Sequence, residues 1–235
     1  MKLPKVLVFS PTYEGKEYCR EEFVENVKKF TYPNADFLMI DNSETDDYSR
    51  RLIADGVPCI RVPRGGNSRV ALASAQNLAR DIAVKEKYDY VLSLESDLFP
   101  PKDIIESLMK HQKSVVGALY LIGGTAPSIP THPCVFVFDQ KDTGVGGTRL
   151  ITVEEHEQMK KMGGIFNVHG MGVGCTLIST YLLKNYLFWT DNRFTNKHSD
   201  VYFYMDLWNN KVPVFVDYDN EVEHRPSAWS LVKDR

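Results

Sequence analysis

Glu95 and Asp97 stand one residue apart at the end of the apolar run Val91-Leu92-Ser93-Leu94, with Pro100 and Pro101 close behind. Alternate residues of extended chain point the same way, so the two carboxylates are expected to face one cleft. Acids held together in this way repel unless a proton or a cation sits between them. A hard divalent ion, Mn²⁺ or Mg²⁺, suits such a corner, and a phosphate would supply it with further oxygens. An isolated acid-x-acid pattern is more often a solvated strand end. The residues around this one give it weight.

Those residues belong to an alternation of apolar runs and helical patterns. Val6–Phe9, Phe37–Ile40, Cys59–Val62, the run before Glu95 and Ser114–Leu119 read as five strands. Helical spacing is expected over Glu17–Phe30, with Phe23, Val27 and Phe30 on one side, and over Asp46–Ala54. A longer helix runs from the turn Arg64-Gly65-Gly66-Asn67-Ser68 to about Lys85, with the stripe Val70, Ala73, Ala75, Leu78, Ala79 and Ile82 facing a sheet. Pro100-Pro101 opens another. Strands alternating with helices imply an α/β fold with a mostly parallel central sheet flanked by helices. Ligands of such sheets bind beyond the carboxyl ends of the strands. Three polar clusters fall there: Pro11–Tyr13, Asp41–Ser43 and Glu95–Asp97.

Beyond Tyr120 the pattern is irregular. Gly123-Gly124, Pro127–Pro133 and Lys141–Gly147 look like loops, with short strands at Val135–Phe138, Ile165–Val168 and Cys175–Ser179. A helix over Ser199–Asn210 would bury Val201, Tyr204, Met205 and Trp208. No repeat or linker interrupts the 235 residues, so a single domain is expected, a ligand-binding half over about 1–119 and a second half over about 120–235 that completes the cleft. A net charge of −3 offers no general nucleic-acid or membrane surface. Cys19, Cys59, Cys134 and Cys175 are too far apart for a metal-type pair, and a reducing compartment is expected. With no signal-peptide pattern and no apolar run long enough to span a bilayer, the expected location is the cytoplasm.

Taken together, these pieces resemble the GT-A class of nucleotide-sugar glycosyltransferases, especially the large family 2 group. Val8-Phe9-Ser10-Pro11-Thr12-Tyr13 looks like its first strand and nucleotide loop, and Ile40-Asp41-Asn42-Ser43-Glu44-Thr45-Asp46 like its acidic second-strand turn. Gly66-Asn67 with Ala75-Gln76-Asn77 is similar to its Gly-rich turn and helix. Leu94-Glu95-Ser96-Asp97 sits where the family carries an Asp-x-Asp motif. The likeness covers residues 5 to about 105, is looser over Gly170–Pro226, and is absent over about 121–164.

The resemblance implies a Rossmann-like GT-A fold with an irregular acceptor-side second half. It also implies transfer of a sugar from a UDP- or GDP-sugar to an acceptor hydroxyl, with a divalent metal. Pro11, Thr12, Tyr13, Asp41 and Asn42 would hold the base and ribose, Tyr13 by stacking. Arg69 would contact phosphate through its forked donors, and Glu95 and Ser96 would complete the donor site. Asp97 is the metal ligand, with Glu95 reaching ribose or a metal-bound water. His224 resembles a late histidine that completes the metal site in many relatives. Asp200 falls where the family places its general base, which implies inversion at the anomeric carbon, although Ser199-Asp200 replaces the usual Glu-Asp pair. Asp206 is its competitor. On one helix the two would point about 120° apart.

In His169-Gly170-Met171-Gly172-Val173-Gly174 the glycines permit a close backbone approach to a ligand, or else form a plain loop before a strand. A nucleotidyltransferase would need a Gly-rich basic loop after the first strand, which Ser10-Pro11-Thr12-Tyr13 is not. Dinucleotide-binding, Walker-type and serine-hydrolase motifs are missing from their proper contexts. A nucleotide-sugar-binding module without catalysis is the non-enzymatic alternative.

Overall fold

The computed structural model describes residues 3–123, 131–138, 147–193 and 197–226. Position 124 and the expected loops over 127–130 and 141–146 lie outside them. Strand β1 (Val6–Thr12) is buried along its whole length and outruns its apolar core by three residues, because Ser10-Pro11-Thr12 stays paired to a neighbour. A 3₁₀ turn (Glu14–Cys19) and helix α1 (Arg20–Lys28) replace the single helix expected here. Tertiary ties account for the tight turn: the Cys19 thiol donates to the Ser96 carbonyl at 3.2 Å, and Lys16 reaches across to Asp97.

Next come β2 (Ala35–Asp41), α2 (Asp47–Ala54), β3 (Cys59–Arg61) and α3 (Ser68–Lys85). Gly65 and Gly66 take φ of 50° and 109°, which a side chain would resist, so the turn can swing Asn67 into the N-cap. The Asn67 side chain accepts from the Arg69 and Val70 amides at 3.1 Å each. Along α3, Ala71, Ala75, Ala79 and Ala83 recur every fourth residue and are essentially inaccessible, so the helix backbone lies close to the sheet.

The chain continues through β4 (Tyr90–Leu94), β5 (Leu98–Phe99), α4 (Ile104–Met109) and β6 (Val115–Ile122). Shorter pieces follow: β7 (His132–Pro133), β8 (Val135–Phe138), β9 (Thr148–Leu150), α5 (Val153–Met162), β10 (Ile165–Val168) and β11 (Gly170–Met171). The last elements are β12 (Cys175–Ser179), α6 (Thr180–Leu183), α7 (Ser199–Asn209) and β13 (Val214–His224).

The main sheet runs β10-β13-β6-β12-β4-β1-β2-β3. Neighbours are parallel from β4 to β3 and between β6 and β13, while β12 is antiparallel to both β4 and β6. The carboxyl ends of β1, β2, β3, β4, β6 and β13 therefore share one edge with the start of β12. Chain order reverses between β1 and β4, where a crevice opens at such an edge. Strand β12, from the second half of the chain, sits inside this sheet, so both halves build one layer. Apolar side chains on its two faces form two cores.

The face of α7 differs from expectation. Tyr202, Phe203, Tyr204 and Leu207 are fully buried, whereas Val201, Met205 and Trp208 are only partly so. Ring partners on both sides produce the shift: Phe203 stacks on Phe188 at 4.5 Å and Tyr204 meets Phe136 edge-on at 5.9 Å.

Candidate active site

All three polar clusters meet at the β1/β4 end of the sheet. The Asn42 amide donates to the Thr12 carbonyl at 2.9 Å. The Ser96 hydroxyl donates to the Pro11 carbonyl at 3.2 Å and lies 3.3 Å from Thr12 Oγ1. Thr12 and Ser96 are both 2% exposed, so they tie the corner together from inside rather than line it. Tyr13 is half-buried with its ring folded over Gly15, where an added Cβ would lie 2.4 Å from the ring.

Asp41 is fully buried. One oxygen, Oδ1, accepts from the Ser43 amide at 2.9 Å and from its hydroxyl, while Oδ2 is buried with no partner among the described residues. Ser43 Oγ in turn accepts from the Glu14 amide at 2.9 Å. From β3, Arg61 clasps this loop by donating to the carbonyls of Ser43, Glu44 and Thr45 at 2.9, 2.7 and 3.1 Å. Neither the Arg61 clasp nor the Glu14–Ser43 tie has a motif in the sequence.

The acid pair is brought together differently from the strand alternation expected of it. Strand β4 stops at Leu94, and Glu95-Ser96-Asp97-Leu98 is a turn closed by the Leu98 amide on the Glu95 carbonyl at 3.0 Å. Glu95 still faces Asp97: burial first, then the Asp97 charge, pushes its carboxyl up to about 6, against the pull of Lys16 and His224.

Asp97 is 1% exposed. Its Oδ2 accepts from the Lys16 ammonium and lies 3.3 Å from His224 Nε2, while Oδ1 is buried without a partner among the described residues. Burial opposes its charge, but the His224 hydrogen bond and the Lys16 charge prevail and hold its pKa below the usual carboxylate value. His224 arrives from 127 residues away because β13 zips onto β5, pairing His224 with Leu98, and the Arg225 amide reaches the Asp97 carbonyl at 3.0 Å. His224 Nδ1 lies 2.9 Å from the Leu121 carbonyl and must donate to it. Its Nε2 thus points a lone pair at a carboxylate unless a proton or a cation stands between them. Burial disfavours imidazolium, yet the Asp97 bond and charge outweigh this and raise the His224 pKa.

That geometry fits a divalent metal. Among the described residues no group of three or more His, Cys, Asp or Glu is placed to hold one. Asp97 and His224 would be the protein ligands, with phosphate oxygens and water completing the shell, the usual arrangement for ions bound with a nucleotide.

Across the cleft, Asp200 occupies the first turn of α7. The Val201 amide donates to its Oδ1 at 2.7 Å, and burial, only partly offset by backbone donors, pushes its carboxyl up to about 6. It is close enough to Glu95 for the two charges to repel. Helix α3 fixes the entrance to α7: Ser199 Oγ donates to Gln76 Oε1 at 2.5 Å, and Arg69 donates to the Lys197 carbonyl at 3.3 Å. Arg69, at 7% exposed, is buried and holds the segment before Asp200. Asp206 accepts from the Trp189 indole at 2.9 Å.

Tyr120 and Cys134 lie beneath, where burial and neighbours that include Glu95 and Asp200 keep both protonated. The glycine run packs on Tyr120: a Cβ at Gly172 would lie 1.8 Å from its hydroxyl, and the Gly174 amide reaches that oxygen at 3.3 Å. The close approach expected of these glycines is thus to a protein ring. Sequence reasoning also missed Lys16, which follows β1 in no recognisable motif.

The sequence pattern described as Glycosyl transferase family 2 matches residues 8–184. Comparison with curated proteins gives no match. Among solved structures, the A197 protein from STIV aligns at 16% identity and TM-score 0.50, over 95% of this chain and 86% of that one. GalNAc-T7, crystallised with UDP, GalNAc and Mn²⁺, aligns at 13% identity and TM-score 0.62, over 94% of this chain but 44% of its own length. Both show the α/β fold. Among the described residues no helix is long and apolar enough to cross a membrane.

Proposed function

We propose that this chain, which belongs to glycosyl transferase family 2, moves a sugar from a uridine-diphosphate donor to an acceptor hydroxyl with inversion, using a divalent cation. The reading is carried by the Asp97–His224 pair at the crevice, where His224 Nε2 faces Asp97 Oδ2 at 3.3 Å. A cation held by these two residues would act as a Lewis acid for charge that builds on the departing diphosphate.

The acceptor oxygen attacks the anomeric carbon as the bond from that carbon to the diphosphate breaks, and Asp200 takes the acceptor's proton. Its carboxyl, desolvated to a pKa of about 6, is ionised at neutral pH yet more basic than a solvated aspartate. Asp206 instead accepts from the Trp189 indole.

Asp41 supports uracil rather than guanine. With Oδ1 occupied by Ser43, one acceptor remains, the complement of a single imide N–H, whereas guanine presents two donors on one edge. Asp41 is covered, so entry of the base requires the loops around it to rearrange. UDP and Mn²⁺ are also what GalNAc-T7 was crystallised with, which supports the choice of probe. In a thermal-shift panel with Mn²⁺, UDP should raise Tm in a concentration-dependent manner and GDP should not. Equal stabilisation by both would remove the base assignment, and none by either would remove the donor reading.

A further inference from the structure

Lys16 lies on the 3₁₀ turn directly after the loop that ends β1. Its ammonium bonds Asp97 Oδ2, the oxygen that His224 Nε2 also faces. The pair is covered, with side-chain exposures of 12% for Lys16 and 1% for Asp97. The backbone beneath Lys16 is held from three sides. The Lys16 amide donates to the Tyr13 carbonyl at 2.9 Å, the Glu14 amide to Ser43 and the Cys19 thiol to Ser96. The root of the side chain is thus fixed to the ends of β1, β2 and the β4–β5 turn, and its flexible four-carbon stem carries a mobile point charge.

An ammonium and a divalent ion cannot share one carboxylate oxygen at bonding distance, since like charges that close repel strongly. Lys16 therefore stands on the oxygen that Asp97 and His224 would otherwise turn to a metal. Removing a covered ammonium from Asp97 would strand a charge unless another anion took it up. A diphosphate arriving at the same corner is such an anion, and lysine serves phosphate as a point charge.

We propose that Lys16 is a tethered cation shared between Asp97 and the donor diphosphate, so that metal and nucleotide binding are coupled. With nucleotide absent, Lys16 neutralises Asp97 and excludes the metal. When the diphosphate binds, Lys16 transfers to the phosphates and releases Asp97 to the metal. Coupling of this kind is reciprocal: UDP strengthens Mn²⁺ binding by the factor by which Mn²⁺ strengthens UDP binding. The diphosphate half rests on the donor reading above, while the competition for Asp97 does not.

The test is calorimetric titration of the full chain and of Lys16→Met and Lys16→Arg with Mn²⁺ alone, UDP alone, and each in the presence of the other. In the parent chain the mutual enhancement should be on the order of ten- to a hundredfold. Lys16→Met should bind Mn²⁺ alone about tenfold more tightly and UDP alone about tenfold more weakly, and the enhancement should shrink to about threefold or less. Lys16→Arg, which keeps the charge, should bind Mn²⁺ alone as weakly as the parent. Unchanged or weaker Mn²⁺ binding in Lys16→Met overturns the proposal, as does Lys16→Arg matching Lys16→Met. The metal-alone arm needs no nucleotide. If UDP does not bind the parent, the donor reading fails, and the Mn²⁺ result still decides whether Lys16 competes for Asp97.

Discussion

Asp97 and Asp200 both act on Glu95 through space, yet their surroundings push them in opposite directions. Burial opposes the charge of both, but Lys16 and His224 supply Asp97 with cationic partners and its pKa falls. Among the described residues Asp200 has only backbone N–H donors, and burial raises its pKa to about 6. With both acids desolvated, a cationic partner is what separates them. On the proposed reading, one carboxylate kept charged and another kept basic would divide the labour between cation binding and proton removal.

Substitutions at the two acids should break that division in different ways. Asp97→Asn, which removes the charge from the cation corner, should lower kcat on the order of a thousandfold in a donor-to-acceptor transfer assay, and should weaken Mn²⁺-assisted UDP binding. Turnover within a few-fold of the parent would end the assignment of Asp97.

Asp200→Asn should lower kcat roughly a hundredfold or more while leaving UDP affinity unaltered. It should also stabilise the protein, because ionised Asp200 is a burden in the folded state. Its folded pKa lies above the unfolded 3.8, so the burden is absent below about 4, grows as pH rises to about 6, and is constant above. The gain in stability should therefore be negligible at pH 3.5 and reach up to about 3 kcal/mol at pH 8, from a shift of about two units. Denaturant melts at the two pH values check this, and a gain equal at both would contradict the burial account. In the parent enzyme, kcat should fall as pH drops through about 6 and Asp200 becomes protonated.

Smaller effects should come from the residues that position each side. Ser199→Ala leaves the Gln76 carbonyl oxygen without its donor and loosens the start of α7, so kcat should fall about tenfold with little change in donor KM. Arg61→Met frees the loop at Ser43–Thr45, so donor KM should rise about three- to fivefold while kcat holds. The reverse split in either variant would mean that the two sides are not independent.

Much of the first half of the chain was legible in the residues. Each strand there is a short apolar run with a polar end, α3 has an Asn cap after two glycines and a small-residue stripe, and three polar clusters fall at the carboxyl ends. The second half was less so. Helix α5 begins with a capping box, Thr152 with Glu155, a local signature that was present without an apolar stripe strong enough to draw attention. His224 could be suspected, but its strand β13 extends eight residues beyond Val216 to His224, past a register shift between Asp217 and Glu221.

From the sequence alone came the order of the elements, the sheet edge at which chemistry gathers, and the acids that gather there. These depend on periodicity and on turns a few residues long, which neighbouring side chains and backbone sterics govern directly. Tertiary structure alone decided which cation meets Asp97, that the acid pair is joined by a turn, that Arg69 serves α7, and that the glycine run makes room for Tyr120. Each of those contacts joins residues far apart in the chain, and each is chosen by which buried polar atom can be satisfied once the sheet has assembled. Spacing along a sequence carries no record of that choice.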